Sequence, residues 1–164
     1  MPVLFIGHGS PQNILAKNPY TEALTKLGKE VPRPRGILSI SAHWQTAGTQ
    51  LEAAAHPETI YDFFGFPDPL YEAKYPAPGA PWLAEAALAL IGKKQASTTL
   101  GWGLDHGTWS VLTHLYPAAD IPVCQMSLDS KLNALDQFQL GKKLAELRSQ
   151  EILILGSGNI VHNL

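Results

Sequence analysis

The chain has 164 residues, of which 45% are hydrophobic and 16% charged, so it is long and apolar enough to fold around a buried core and is not a disordered segment. Its net charge is -2 and its lysines and arginines form no cluster, which excludes a basic surface for nucleic acid. A single cysteine excludes an intrachain disulfide. No apolar run approaches the roughly 20 residues of a membrane span, and the start lacks signal-peptide features, so we expect no membrane contact and a cytoplasmic protein.

The first part of the chain alternates strand and helix patterns. VLFIGH (3–8) and GILSISAHW (36–44) are short, aliphatic and β-branched runs that predict buried strands. Between them PYTEALTKLGKE (19–30) predicts a helix, because a proline stands in its first turn and its apolar residues recur at helical spacing. TQLEAA (49–54) alternates loosely and predicts a further strand.

A long irregular segment follows at 61–81, YDFFGFPDPLYEAKYPAPGAP. It is rich in proline and aromatic residues and fits neither the strand period nor the helix period. A loop of this length in a compact domain is typical of a lid or a pocket wall, and equally of an Ω-loop packed by its own side chains. We expect it to form the wall of a pocket.

The remainder of the chain repeats the alternation. APWLAEAALALIGKK (80–94), TWSVLTHLY (108–116) and NALDQFQLGKKLAELRSQ (133–150) predict helices, whereas DIPVCQMSLD (120–129) and EILILGSG (151–158) predict buried strands. Strands that alternate with helices indicate an α/β fold. We therefore expect residues 1–164 to form a single three-layer domain, with a central, mostly parallel or mixed sheet flanked by helices.

Three of the six histidines stand where predicted strands end. His8 follows VLFIG, His43 follows ILSISA and His162 follows ILILGSGNIV. Ligands of open α/β sheets bind at the carboxyl edge of the strands, so these side chains are expected to converge on one point. Convergent imidazoles commonly hold a divalent transition metal such as Zn(II) or Fe(II).

His106 has a different context. It lies between a possible helix cap, Asp105, and a glycine in GWGLDHGTWSVL. Two roles remain open for it: completion of the loop by hydrogen bonding, or acid/base chemistry and substrate contact at the same pocket. His56 and His114 lack the glycine context and are assigned to structure or surface.

Six ordered motifs carry a family resemblance: GHGSP (7–11), SAHW (41–44), YDFFGFP with YPAPG, GLDHGTWSVL, ADIPVCQMSLD and GSGNIVHNL. Together they resemble the 4,5-DOPA extradiol dioxygenase family of the class III ring-cleaving dioxygenases, from residue 2 to the last residue. The resemblance implies a non-haem metal site in which Fe(II) is the active metal and Zn(II) is often found in its place.

The resemblance also implies roles for matching residues. His8 and His43 fall on metal ligands, His162 falls on a further ligand or the active-site acid/base, and His106 falls near the substrate as a second catalytic histidine. The implied reaction opens the ring of a small aromatic diol, a catechol, with O2 and gives a semialdehyde acid. Side chains of the aromatic loop are expected to bind the ring, and our candidates are Tyr61, Phe64 and Tyr75.

One family element has no match in the sequence, the metal-binding histidine of a C-terminal segment. The sequence therefore looks like the N-terminal part of such an enzyme, and association into a homo-oligomer that covers an exposed sheet edge is expected. Two other functions stay open: a catalytically impaired or non-enzymatic binding module of the same fold, and, ranked lowest, a tetrapyrrole chelatase-like enzyme, which GHGS after a first strand also resembles.

Overall fold

The computed structural model describes residues 1–159, in which a six-stranded sheet lies between two layers of helices. Two 3₁₀ helices, Pro11–Ile14 and Ala145–Gln150, complete the regular structure of this part of the chain. In chain order the strands are β1 (Val3–Gly7), β2 (Gly36–Thr46), β3 (Thr49–Glu52), β4 (Ala96–Thr99), β5 (Val123–Asp129) and β6 (Ile152–Gly158), and the helices are α1 (Pro19–Glu30), α2 (Pro69–Glu72), α3 (Pro81–Ile91), α4 (His106–Leu115) and α5 (Ala134–Leu144).

The strand order is β1-β6-β2-β5-β3-β4. The first four strands in this order run parallel to one another, β3 is antiparallel to β5, and β4 is parallel to β3. The sheet is therefore mixed, and the predicted three-layer α/β fold is confirmed.

The apolar runs are continuous because the central strands are buried on both faces. Along β6, Leu153 and Leu155 pack with residues of α1 and α4, whereas Ile152 and Ile154 pack with residues of α3 and α5. Alternate residues of one strand thus belong to two separate cores, one on each side of the sheet.

Apart from shifts of a few residues at element ends, the structure differs from the predicted elements in three places. β4 was not predicted, because its sequence ASTT is short and polar and carries no apolar pattern. The predicted helix over 133–150 ends as an α-helix at Leu144 and continues as a 3₁₀ helix. The segment 61–81 is not wholly irregular, since it contains α2.

No helix among residues 1–159 is long and apolar enough to cross a membrane.

Helices α1 and α4 cross closely at Gly28. A Cβ atom added to Gly28 would lie 2.0 Å from the carbonyl oxygen of Leu115, which is far inside van der Waals contact with rigid backbone. Glycine ordinarily weakens a helix, so its presence in α1 is explained by this contact.

We predict that Gly28→Ala lowers the free energy of unfolding by about 1–3 kcal/mol, because the added methyl group forces the two helices apart. Gly141→Ala in α5 is the matched control, since a Cβ atom there meets no atom within 4 Å; it is expected to raise stability by about 0.5–1 kcal/mol. Urea unfolding of both variants measures the difference, and equal stabilisation by both substitutions would contradict the close crossing.

Candidate functional site

The carboxyl ends of β1, β6 and β2 lie side by side at one edge of the sheet. Gly7 of β1 is level with Gly158 of β6, and Ser157 of β6 is level with Ser41 of β2. His8 follows β1 directly, and His43 lies near the end of β2. β1 and β2 are not neighbours, so the two imidazoles approach each other from either side of β6.

Three imidazoles meet at this edge. The Nε2 atoms of His8 and His43 are 3.0 Å apart, and the ring of His106 lies 5.3 Å and 4.1 Å from their rings, measured between centroids. One nitrogen of each ring can be chosen so that all three lie within 4.8 Å of one another. His8 and His106 are buried, at 2% and 4% exposure, and His43 is partly exposed. The structure thus brings together two predicted ligands and the predicted catalytic histidine.

The Nδ1 atom of His8 lies 2.9 Å from the hydroxyl oxygen of Ser157. That hydroxyl donates its only hydrogen to the carbonyl of Gly107. The hydroxyl oxygen therefore accepts from His8, which places the proton of the neutral ring on Nδ1. The Nε2 atom of His8 is left with a lone pair that points towards His43.

A partly buried carboxylate, that of Asp62, lies behind the other two rings. Its Oδ1 atom is 2.9 Å from Nδ1 of His106, and its Oδ2 atom is 3.4 Å from Nδ1 of His43. Burial alone would raise the pKa of Asp62, but hydrogen bonds from the side chain and backbone of His106 and the charge of that ring lower it, and the net shift is downward. The carboxyl group is therefore ionised at neutral pH.

The nitrogen atoms at the centre of the cluster fit a metal cation. Zn(II) binds imidazole nitrogen at about 2.0–2.1 Å, which separates two ligands of a tetrahedral site by about 3.3 Å. The 3.0 Å between the Nε2 atoms of His8 and His43 is close to that spacing. Two lone pairs at this distance repel each other unless a cation or a proton lies between them.

His106 reaches the cluster because α4 begins at this residue. Asp105 caps the helix by accepting a hydrogen bond of 3.1 Å from the backbone N–H of Thr108. Burial, followed by the charge of Asp62, raises the pKa of Asp105 to about 6. A Cβ atom at Gly107 would lie 2.5 Å from Oγ of Ser41 and 3.1 Å from Cδ2 of His43, so glycine allows this helix end to approach β2.

The aromatic loop meets the cluster through one ring. Phe63 contacts His106 edge to face, with ring centroids 5.5 Å apart. Tyr61 packs against Phe63 and Trp109, and its hydroxyl donates to the carbonyl of Ala73. Phe63 therefore lies between Tyr61 and His106.

Two predicted substrate contacts are not placed at the cluster. Phe64 is 92% exposed and has almost no contact with the rest of the protein. Tyr75 is 2% exposed, and its hydroxyl donates to the carbonyl of Tyr116, at the end of α4 opposite to His106 and about 15 Å along the helix axis. The ring of Tyr75 therefore fills the core away from the histidine cluster, and its contact with substrate stays a prediction.

Sequence reasoning missed Asp62, Phe63 and the role of Ser157. The available signal for Asp62 was a lone carboxylate within the aromatic run YDFF. His162, predicted as a ligand and acid/base, lies outside the described residues.

Comparisons with known proteins find relatives that match nearly the whole chain. Residues 2–164 match the family described as the catalytic LigB subunit of aromatic ring-opening dioxygenase. The chain is 50% identical over 165 residues to 4,5-DOPA dioxygenase extradiol of Escherichia coli (strain K12), with 100% of this chain and 61% of the relative covered. The corresponding protein of Beta vulgaris is 42% identical, with 96% and 61% covered.

A solved structure shares the fold. The crystal structure of an uncharacterized protein from Escherichia coli K12 matches with a TM-score of 0.83 and 45% identity, over 99% of this chain and 62% of that chain. The chain spans about 61% of the length of the curated relatives named above. By the match over nearly all of its residues, the chain belongs to the family of the catalytic LigB subunit of aromatic ring-opening dioxygenases.

Proposed function

We propose that this chain is the metal-binding part of an extradiol dioxygenase, which opens a catechol ring with O2 and gives a ring-opened semialdehyde. The observation that carries the proposal is the pair of Nε2 atoms of His8 and His43, 3.0 Å apart at the carboxyl edge of the sheet. Membership of a ring-opening dioxygenase family supports it, as do relatives named 4,5-DOPA dioxygenase extradiol.

In this proposal His8 and His43 bind the metal through Nε2. The predicted third ligand is His162. Fe(II) is the metal proposed for activity, and Zn(II) is expected to bind the same nitrogen atoms. When bound, Fe(II) supplies the Lewis-acid and redox chemistry that the reaction of a catechol with O2 requires.

His106 is proposed as the group that takes a proton from a catechol hydroxyl. Its ring is buried, and its Nδ1 atom faces the carboxylate of Asp62 at 2.9 Å, so Nε2 is the nitrogen left to accept a proton. Once protonated, the imidazolium is stabilised by that carboxylate. His162 is proposed as a further acid/base on the family resemblance alone.

The ring of the substrate is proposed to lie against the aromatic loop, 61–81. Phe63 supplies an apolar surface beside His106, and Tyr61 supports Phe63 from behind. These rings would exclude water from the metal side of the site and favour a planar aromatic substrate.

The cluster geometry also supports a second assignment for His106. Its ring can offer a nitrogen within 4.8 Å of those of His8 and His43, as a third metal ligand would. The experiments below separate the two roles, because a ligand affects metal affinity and a proton acceptor affects turnover.

Two further predictions from the sequence stay proposals. Association into a homo-oligomer is proposed at the β1 edge of the sheet, where Val3 and Phe5 are 54% and 60% exposed. Location in the cytoplasm likewise remains a prediction.

We predict that His8→Ala and His43→Ala each weaken binding of Zn(II) and Co(II) by at least about 100-fold, because each removes one of few protein ligands. Calorimetry measures the affinity, and the visible spectrum of Co(II) reports the loss of nitrogen ligands. His56→Ala, an exposed histidine elsewhere on the chain, is the control. Unchanged affinity in both variants would contradict the ligand assignment.

We predict that the chain loaded with Fe(II) without air consumes O2 when a catechol such as DOPA is added, with one ring-opened, yellow product formed per O2. His106→Gln is expected to lower kcat by about 10²–10⁴-fold through loss of the proton acceptor, with metal affinity unchanged. The control is His56→Gln.

Three outcomes of this assay are informative. Loss of metal affinity in His106→Gln would favour its role as a third ligand. Binding of metal and catechol without O2 uptake would favour the binding module. A loaded chain that binds no catechol and consumes no O2 would contradict the proposed function.

A further inference from the structure

We infer that Gln125 is a positioning residue: the amide of its side chain holds Asp105, the residue that caps α4, and thereby sets the place of His106 in the cluster. Gln125 lies in β5 and is fully buried. The position of the helix start is a property of the metal-free chain, and only its effect on turnover rests on the proposed function.

Both ends of the Gln125 amide bond to Asp105. Its Oε1 atom accepts a hydrogen bond of 3.1 Å from the backbone N–H of Asp105, and its Nε2 atom donates one of 2.5 Å to Oδ2 of the same residue. A backbone N–H can only donate, so the amide oxygen is the atom that faces it and the orientation of the amide is fixed. The other carboxylate oxygen, Oδ1, accepts from the backbone N–H of Thr108. Gln125 therefore holds the cap, and the cap holds the first turn of α4.

A second side chain of the sheet holds the same turn. Ser39 of β2 is level with Gln125 of β5, and its hydroxyl oxygen lies 2.8 Å from that of Thr108, at hydrogen-bond distance. Ser39, Thr108, Gln125 and Asp105 are all fully buried. His106 lies between Asp105 and Thr108 in the chain, so its backbone is fixed on both sides by residues bonded to the sheet.

The burial of the polar amide indicates a role in geometry. Two residues earlier in β5, on the same face, Val123 packs in the apolar core beside α4. An apolar side chain would therefore suit this face of the strand, and a buried hydrogen bond adds only about 0.5–1.5 kcal/mol to stability. A fully satisfied polar network differs from apolar packing because it specifies one arrangement of its members. Gln125 thus fixes where the start of α4 meets the sheet.

The ring of His106 depends on that position. His106 is the first residue of α4, and the centroid of its ring lies 4.1 Å from that of His43 and 5.5 Å from that of Phe63. A misplacement of about 1 Å in an active site can lower a rate by about 100-fold. Loss of the Gln125 hydrogen bonds is therefore expected to displace the ring from both neighbours and to slow the reaction.

Gln125→Met removes both hydrogen bonds and keeps an unbranched side chain of similar length, and we expect the start of α4 to move as Asp105 loses these partners. Ser127→Ala is the matched control. Ser127 lies two residues further along β5, is 1% exposed and forms hydrogen bonds of 2.6 and 2.8 Å with Thr46 and Gln50. Each variant thus loses two hydrogen bonds of the same buried strand, but those of Ser127 do not involve α4.

The first measurement is the ¹H–¹³C NMR spectrum of the His106 ring in the metal-free chain, because the ring current of Phe63 makes these signals depend on the position of the ring. All proteins are compared at one pH, about 8, above the histidine range. We expect the His106 signals to shift several times further in Gln125→Met than in Ser127→Ala. A role in stability alone would lower the urea midpoint of both variants and leave the His106 signals of the folded proteins in place.

The second measurement is turnover of a catechol by the chain loaded with Fe(II). We expect kcat to fall by about 10–100-fold in Gln125→Met with KM little changed, because the metal and the aromatic loop stay in place while His106 is displaced. Ser127→Ala is expected to keep the kcat of the wild-type chain.

Unmoved His106 signals in a folded Gln125→Met would overturn the inference, as would an equal displacement in Ser127→Ala. A wild-type kcat in Gln125→Met would also overturn it. If Gln125→Met does not fold, the wild-type chain decides: nuclear Overhauser effects from the Gln125 side-chain amide to the backbone N–H of Asp105 support the inference, and their absence overturns it. No turnover by the loaded wild-type chain would instead overturn the proposed function and leave the NMR result standing.

Discussion

The parallel alignment of β1, β6 and β2 is the constraint on which the site depends. It brings the carboxyl ends of three strands to one edge, with Gly7 level with Gly158 and Ser157 level with Ser41. Because β6 lies between the other two strands, their ends are about 10 Å apart, and imidazoles from both sides meet above it. Ser157, at this end of β6, forms the hydrogen bond that orients His8.

Elements outside the sheet complete the arrangement. The first turn of α4 packs closely against β2 at Gly107, where no side chain larger than hydrogen fits. This close packing places His106 in the cluster. The loop before α2 delivers Asp62, whose carboxylate contacts His43 from β2 and His106 from α4. The site therefore combines a sheet edge, a helix start and a packed loop, each of which fixes the direction of one imidazole or more.

The sequence predicted what depends on local pattern. Apolar runs predicted four of the strands, and a loose alternation predicted β3. The position of His8 and His43 after or near strand ends predicted that they converge, as the structure shows. What depends on packing across the chain could not be predicted. The 44-residue separation of Asp62 and His106 leaves no spacing signal, and Tyr75 resembles a pocket residue by composition, although its ring fills the core. β4 was missed because its pairing with β3, and not an apolar pattern, makes it a strand.

We propose above all that His8 and His43 direct their Nε2 atoms at one metal ion. X-ray absorption of the chain loaded with Fe(II) or Zn(II) measures this directly, because imidazole ligands give a characteristic multiple-scattering pattern. We predict at least two imidazole nitrogens at about 2.0–2.2 Å from the metal. A first shell of oxygen atoms only, without imidazole scattering, would contradict it.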